Sequence, residues 1–198
     1  MPALPMGYQQ NPLHRSERIA GAFFVVVVIS VNHAVMGSAT NLLSLGLVVA
    51  YLMWAAAIWL NDPPPIVPLY LIGIAVQALH FLEEYLTGFQ KKFPALFGYE
   101  WSDKRFVIFN LVWLSIFLLA ALGIWLGLRL AYLVAFLFAI AGEIGNGLGH
   151  LALSIAQRRY FPGLITAPVV LIIGVALLTK LLRTAEHLPD QAGDIQEI

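Results

Sequence analysis

The stretch FVIFNLVWLSIFLLAALGIWL at residues 106–126 is apolar almost throughout and contains no charged side chain. A helix needs about 20 such residues to cross the hydrocarbon core of a bilayer, because each residue adds about 1.5 Å of length. Five other stretches have the same character, and they predict helical spans at residues 19–36, 42–60, 66–87, 130–154 and 162–182. The sequence therefore predicts an all-α fold, a polytopic transmembrane helical bundle of about six spans.

The overall composition agrees with a multi-pass integral membrane protein. Of the 198 residues, 60% are hydrophobic and 11% charged, and the mean hydropathy is +0.83; a soluble domain is about 25% charged. Eleven Lys and Arg balance eleven Asp and Glu, so there is no basic excess that would bind nucleic acid. The chain has no cysteine, which excludes disulfides and thiolate metal sites. Any metal must therefore be bound by His and carboxylate side chains.

The spans form one predicted transmembrane helical domain at residues 19–185, between an N-terminal tail at 1–18 and a polar C-terminal tail at 186–198. Arg15 and Arg18 before an apolar run imitate a secretory signal peptide, and we interpret that run as a retained helix. Residues 88–105 mix aromatic and charged side chains, which predicts an interfacial segment that covers what lies beneath. Six spans place five Lys and Arg on the face that holds the termini and six on the other, which predicts no orientation.

The intramembrane charged and imidazole side chains fall at similar depths. His33, His80, Glu84, Glu143 and His150 lie on the first, third and fifth spans, which run in one direction, about 20–30 Å from the terminal face. A charge near the bilayer centre costs several kcal/mol unless it is paired, hydrated or bound to a metal. These side chains are therefore predicted to form one polar layer.

Helical phase places the same side chains toward a common interior. At 100° per residue, one stripe of the third span contains Gln77, His80, Glu83, Glu84 and Thr87. On the fifth span Glu143, Asn146 and His150 also share a face. Two helices are thus predicted to present carboxylates and imidazoles to each other.

Three of these side chains, Glu83, Glu84 and Glu143, bring negative charge to a layer without Lys or Arg. Protonation, a divalent metal, or a cationic substrate or intermediate would compensate for it. For a metal, the predicted ligands are His80, Glu83, Glu84, Glu143 and His150, with His33 as a further ligand or a partner of one. This set fits zinc with an activated water or a two-metal centre, and iron or manganese are alternatives.

Other polar residues in or beside the layer are candidates for substrate contact. Asn32, Asn110 and Asn146 are predicted to bind substrate, with hydrogen bonding between helices as the alternative. Tyr160 precedes Pro162, which is predicted in the first turn of the last helix. Its phenol could donate a proton or a hydrogen bond to substrate, and the alternative is an interfacial aromatic belt.

Three motifs occur in order from the third span to the sixth: His80-Phe81-Leu82-Glu83-Glu84, a separate His150, and Tyr160-Phe161-Pro162-Gly163. Together they resemble the HXXEE domain family of small integral membrane proteins, a family without an assigned reaction. The resemblance implies a functional set of His80, Glu83, Glu84, His150 and Tyr160. The chain has a looser likeness to emopamil-binding sterol isomerases, which implies that buried carboxylates can move a proton without metal.

These observations predict an intramembrane metal-dependent enzyme of hydrolase type that acts on a lipidic or apolar substrate entering from the bilayer. Glu83 or Glu84, if not bound to metal, would be the general base, and Tyr160 would orient the substrate. The alternative is a metal-free acid/base isomerase or cyclase of a lipid. A further alternative is a cation- or proton-coupled transporter or a subunit of a membrane complex.

Overall fold

The computed structural model describes residues 13–56 and 66–186, and within these ranges the chain is helical with no β-strand. The N-terminal residues 1–12, the end of the predicted second span at 57–60, the proline-rich connection that follows it, and the tail from 187 lie outside the described residues. The side chains described end at residue 182.

The first two helices form a hairpin. Helix α1 (Arg15–Met36) is followed by a 3-10 turn, Gly37–Thr40, and by α2 (Asn41–Ala56). The chain reverses at Gly37, whose φ of +72° suits a residue without a Cβ. The Tyr51 hydroxyl donates to the backbone carbonyl of Arg18 at 3.3 Å, so α2 runs back along α1.

The predicted interfacial segment contains a short helix and connects two long ones. Helix α3 (Val67–Thr87) ends at Gly88, which has φ +85°. A short helix, α4 (Phe89–Ala95), follows directly. Helix α5 (Asp103–Trp125) begins after Ser102, whose side chain accepts from the Arg105 N–H at 3.1 Å. This is an N-cap, and it fixes where α5 starts.

The predicted fifth span is a helix of 29 residues whose middle is wound as a π-helix. It consists of α6 (Arg129–Leu137), the π-helix Phe138–Gly145, and α7 (Asn146–Gln157). A turn then leads into α8 (Ala167–Glu186). Wide turns of this kind occur often at functional sites, and this one contains Glu143.

The predicted fold class is confirmed. Within residues 13–56 and 66–186, four helical stretches are long and apolar enough to cross a membrane: Arg15–Ala56, which is the α1–α2 hairpin, Val67–Thr87, Asp103–Trp125 and Arg129–Gln157. Ala167–Leu182 is a shorter apolar helix. With the hairpin as two helices, these stretches correspond to the six predicted spans.

The last helix begins later than predicted. Pro162 was expected in its first turn, but residues 162–166 form a turn and the helix starts at Ala167. The helix starts late because Gly163 adopts φ +90°, which a helix does not accommodate. Residues 162–166 therefore pack against α7 and do not extend α8.

The centre and the periphery of the bundle are both apolar. Leu133, Phe136 and Phe138 are at most 1% exposed, and they pack in one core with residues of α2, α3, α5 and α8. At the periphery, Phe23, Leu119 and Ile172 are all more than 65% exposed. Large exposed apolar side chains around a helical bundle suit a surface that faces lipid.

Candidate metal centre

Three side chains from α3 and α7 point their polar atoms at one another. The Nε2 atoms of His80 and His150 are 3.1 Å apart, and Glu84 Oε1 lies 3.0 Å from His150 Nε2 and 3.5 Å from His80 Nε2. All three residues are at most 3% exposed. Among the described residues, His80, Glu84 and His150 form the one group of His and acidic side chains placed to share a metal ion.

The separations match a tetrahedral metal site. Zinc binds His nitrogen and carboxylate oxygen at about 2.0–2.2 Å, so two ligand atoms at the tetrahedral angle lie about 3.3 Å apart. The three observed separations, 3.0 to 3.5 Å, fall around that value. Three protein ligands leave a fourth position for water or substrate, as in catalytic zinc sites. Two His and one carboxylate on one face also suit non-haem iron.

The helical spacing and one glycine bring these atoms together. His80 and Glu84 are separated by one helical turn on α3, so their side chains share a face. The His150 ring is backed by the turn before α8, where a Cβ on Gly163 would lie 2.5 Å from the ring. Only glycine permits both this approach and the φ of +90°. This contact gives the Tyr-x-Pro-Gly motif a structural reason.

The second nitrogen of His80 is held by Thr166. His80 Nδ1 lies 2.5 Å from Thr166 Oγ1, and the Thr166 hydroxyl donates to Glu83 Oε2 at 2.6 Å. Because a hydroxyl has a single proton, Thr166 accepts the Nδ1 proton of His80. A neutral His80 therefore presents the lone pair of Nε2 to the centre, which is the form that binds a metal.

Glu83 faces away from the centre, although it is next to Glu84 in sequence. Its carboxylate accepts from the backbone N–H of Ile165 at 2.9 Å and of Thr166 at 2.8 Å, and from the Tyr160 hydroxyl at 2.7 Å. With the Thr166 hydroxyl, these are four donors, which fill the acceptor positions of a carboxylate. The structure thus places Glu83 as a support for His80, outside the ligand group to which the sequence assigned it.

Tyr160 lies at the outer end of this chain of hydrogen bonds. It is 40% exposed and its hydroxyl is engaged by Glu83. Partial burial and the hydrogen bond to Glu83 raise the pKa of the Tyr160 phenol above its usual value. The phenol is therefore protonated at neutral pH and donates to Glu83. Its predicted contact with substrate stays a prediction.

Glu143 is linked to the centre indirectly. Asn146 Oδ1 lies 3.0 Å from His150 Nε2. The Gln77 side chain connects Asn146 to Glu143. In the orientation of its amide that satisfies both neighbours, Gln77 Oε1 accepts from Asn146 Nδ2 at 3.2 Å and Gln77 Nε2 donates to Glu143 Oε1 at 3.1 Å. Glu143 is fully buried, and its Oε2 has no partner among the described residues. The structure therefore places Glu143 behind Asn146 and not among the three converging atoms.

The environment of His150 Nε2 favours a cation at the centre. Three polar atoms, from His80, Glu84 and Asn146, lie 3.0–3.1 Å from this one nitrogen. A ring nitrogen carries either one proton or one lone pair, so it cannot make three good hydrogen bonds. A metal ion between His80, Glu84 and His150 would satisfy two nitrogens and an oxygen at once.

The other predicted site residues lie elsewhere. His33 is exposed on α1 and is not part of the group. Its position along the helix was predicted to match the depth of the centre, but its side chain lies on the outward face of α1. Asn32 and Asn110 are both 6% exposed, and the Nδ2 of each lacks a partner among the described residues. Of the three predicted substrate-binding asparagines, only Asn146 contacts the centre.

A group of aromatic rings covers the centre on the side of α4. The Phe89 ring centroid lies 5.3 Å from that of His150, and Phe93 stacks on Phe89 at 4.7 Å. Phe106 and Phe161 each lie 6.0 Å from Phe89. These rings lie over the imidazoles and limit their contact with water. That residues 88–105 form an interfacial segment stays a prediction.

Sequence reasoning missed Thr166 and assigned no individual role to Gly163 or Phe89. Thr166 had a usable signal, because a Thr followed by Ala167-Pro168 is a typical helix N-terminus. Gly163 stands in the Tyr-x-Pro-Gly motif and Phe89 in the predicted interfacial segment, but the contacts that they make depend on the position of His150 in space.

The fold and the site together define an all-helical protein with a buried His/Glu centre between two helices long enough to span a membrane. The chain belongs to the family described as proteins of unknown function with an HXXEE motif, whose model matches residues 71–177. The match confirms the predicted resemblance and includes the three converging residues and their supports. No curated protein and no solved structure matches the chain.

Proposed function

We propose that this chain is a multi-pass integral membrane protein in which His80, His150 and Glu84 bind one divalent metal ion, most simply zinc. The proposal extends to a metal-dependent hydrolase acting on a lipidic or apolar substrate. The observation that carries it is the triangle of two imidazole nitrogens and one carboxylate oxygen with sides of 3.0 to 3.5 Å.

The membrane location rests on the four long apolar helices and on the apolar periphery. The proposal of a lipidic substrate is supported by the surroundings of the centre, which lies between membrane-length helices under the aromatic rings of Phe89 and Phe93 of α4. Apolar and aromatic side chains around a site suit an apolar ligand.

When bound, a zinc ion with three protein ligands supplies a water that ionises near neutral pH. The protein's own contribution is orientation: Glu83 and Thr166 hold His80, and the turn at Gly163 packs against the His150 ring. Glu143 reaches the centre only through Gln77 and Asn146, so its carboxyl does not contact the three ligand atoms and is not placed as a general base. Glu83 is not suited to act as a general base either, since its acceptor positions are filled.

The first experiment is elemental analysis of the protein purified in mild detergent without chelator. We expect one equivalent of metal in the wild type and loss of it in His80→Ala and His150→Ala. The control is His33→Ala, which removes an exposed imidazole from another helix and should keep the metal. Full metal content in both site variants would exclude this ligand set. The element found distinguishes zinc from iron or manganese.

The hydrolase part is tested separately on the metal-loaded protein. We expect release of acid from lipid esters or amides that stops with chelator and returns with zinc. If the protein binds metal but hydrolyses none of these lipids in a metal-dependent way, the proposed metal site stands and the proposed hydrolase activity is excluded.

A second candidate is a metal-free acid/base isomerase or cyclase of a lipid. It is favoured by the 3.1 Å contact between the two Nε2 atoms, because a single shared proton also joins two imidazoles at that distance. Absence of metal after reconstitution, together with retained structure, would favour this candidate over the hydrolase.

A further inference from the structure

A groove of about 510 Å³ runs along the outside of the bundle between α1 and α5. Its walls are mainly β-branched side chains, among them Val28 and Val35 of α1 and Ile108 and Val112 of α5. The volume lies in the range of about 300–1,000 Å³ that is typical of sites for small molecules. Its open side is on the periphery of the bundle, where a lipid tail could enter.

One end of the groove is basic. Trp101 Nε1 donates to the carbonyl of Met36 at 3.1 Å, so the end of α1 lies beside the start of α5. Lys104 and Arg105 line the groove at this end, and both are exposed without an ion pair among the described residues. The adjacent Asp103 accepts from Gln90 Nε2 at 3.1 Å and is directed to that partner.

A buried donor without a partner lies below the basic end. Asn32 lines the groove, is 6% exposed, and its Nδ2 has no hydrogen bond partner among the described residues. An unsatisfied buried amide is costly, so a ligand acceptor at this position is favoured. Asn32 is four residues before the end of α1, which places it about 6 Å deeper than Met36.

We propose that this groove binds an anionic phospholipid of the surrounding bilayer. Lys104 and Arg105 bind the headgroup phosphate, Asn32 Nδ2 donates to an ester carbonyl, and an acyl chain lies along the valines of α1 and α5. The order of cations, amide and apolar wall along the groove repeats the order of phosphate, ester and tail in such a lipid. The inference rests on the proposed membrane location and is independent of the metal centre.

Trp113 gives a direct readout, because it lines the groove and is 5% exposed. The protein is placed in nanodiscs containing phospholipids with brominated acyl chains, which quench nearby tryptophan. The signal of Trp113 is the difference between the wild type and Trp113→Phe. We expect an anionic phosphatidylglycerol to be preferred over a zwitterionic phosphatidylcholine by about fivefold or more, since two cations face the headgroup.

The headgroup contact is tested with Lys104→Ser/Arg105→Ser, which should lose the preference. The control, Lys91→Ser/Lys92→Ser, removes the same charge from α4, outside the groove lining, and should keep it. Equal preference in the wild type and both double variants would overturn the headgroup contact. No quenching of Trp113 by either lipid would overturn the proposal. If the protein is then found as a dimer, the occupant of the groove is a second copy of the chain and not a lipid.

The ester contact is tested with diester and diether forms of the same anionic lipid. The wild type should prefer the diester, and Asn32→Val should lose that preference while it keeps the preference for the anionic headgroup. An Asn32→Val protein that still discriminates ester from ether would overturn the assignment of Asn32. Metal content is measured on every variant, so failure of the lipid site is distinguishable from failure of the metal centre. Failure to enter nanodiscs would instead contradict the membrane location.

Discussion

The core around Trp54 and the centre around His80 are equally buried, but different interactions hold them. Leu47, Trp54 and Leu133 are each 0% exposed and pack mainly through apolar surface, with one hydrogen bond from Trp54 Nε1 to the carbonyl of Arg129 at 2.9 Å. At the centre, His80 is positioned by single polar atoms of Thr166 and its neighbours. Apolar packing constrains mainly volume, whereas hydrogen bonds and metal ligation constrain atomic positions.

The glycines show the same difference. A Cβ on Gly21 in the core would meet the edge of the Trp54 side chain at 2.6 Å. A Cβ on Gly163 would meet the His150 ring at 2.5 Å, and one on Gly147 would meet the backbone oxygen of Ala167 at 2.8 Å. A core side chain can move and repack, but the His150 ring loses its proposed function when it moves. We therefore expect that small substitutions at the centre reduce metal binding, whereas small substitutions in the core change only stability.

The largest effect is expected for Gly163→Ala, which combines a strained φ of +90° with overlap against His150. We expect a loss of about 2–4 kcal/mol in stability and loss of bound metal. The measurements are thermal unfolding in detergent and elemental analysis.

The matched control is Gly127→Ala, which has φ +74° but nothing within 4 Å of the added Cβ. It should cost about 1–2 kcal/mol from backbone strain alone and keep the metal. If Gly163→Ala behaves like this control, the contact with His150 does not matter for the centre.

A smaller effect is expected for Thr166→Val, which keeps the shape of the side chain and removes its hydroxyl. His80 Nδ1 then loses its acceptor, and Glu83 loses one donor. We expect metal affinity to fall about 10- to 100-fold, as for other supports of ligand histidines, and stability to fall by about 1–3 kcal/mol, because the buried Nδ1–H of His80 is left without an acceptor. Competition with a chelator of known affinity measures it.

Thr166→Ser is the control, because it retains the hydroxyl between His80 and Glu83. It should bind metal nearly as well as the wild type. Equal affinity in the Val and Ser variants would show that Thr166 does not position His80.

Most of the fold could be predicted from the sequence, because the length and apolarity of a span are local properties. The third span was predicted at 66–87 and is observed as Val67–Thr87. The start of the last helix was not, because the turn at Gly163 is stabilised by its contact with α7. A proline at the start of an apolar run is an ambiguous signal when such a contact is unknown.

Part of the candidate centre could also be predicted. Depth and helical phase brought His80, Glu84 and His150 together. They failed for His33, which has a suitable depth but an exposed side chain, and for Glu143, whose face is right but whose carboxylate meets Gln77. Depth and phase predict which face of a helix a side chain occupies. Ligation depends in addition on which side chains of the neighbouring helix lie within contact distance, and the sequence does not give these.

The smallest effect is expected in the apolar core, for Leu47→Met. Leu47 is fully buried, and Met has nearly the same volume and a flexible side chain, so repacking should limit the loss of stability to less than about 1.5 kcal/mol. Metal content should be unchanged, because only the shape of an apolar side chain is altered and no polar atom is changed. Leu42→Met, at a position 69% exposed on the same helix, should leave both quantities unchanged. Loss of metal in Leu47→Met would show that core packing sets the geometry of the centre, which would contradict the separation of the two regions.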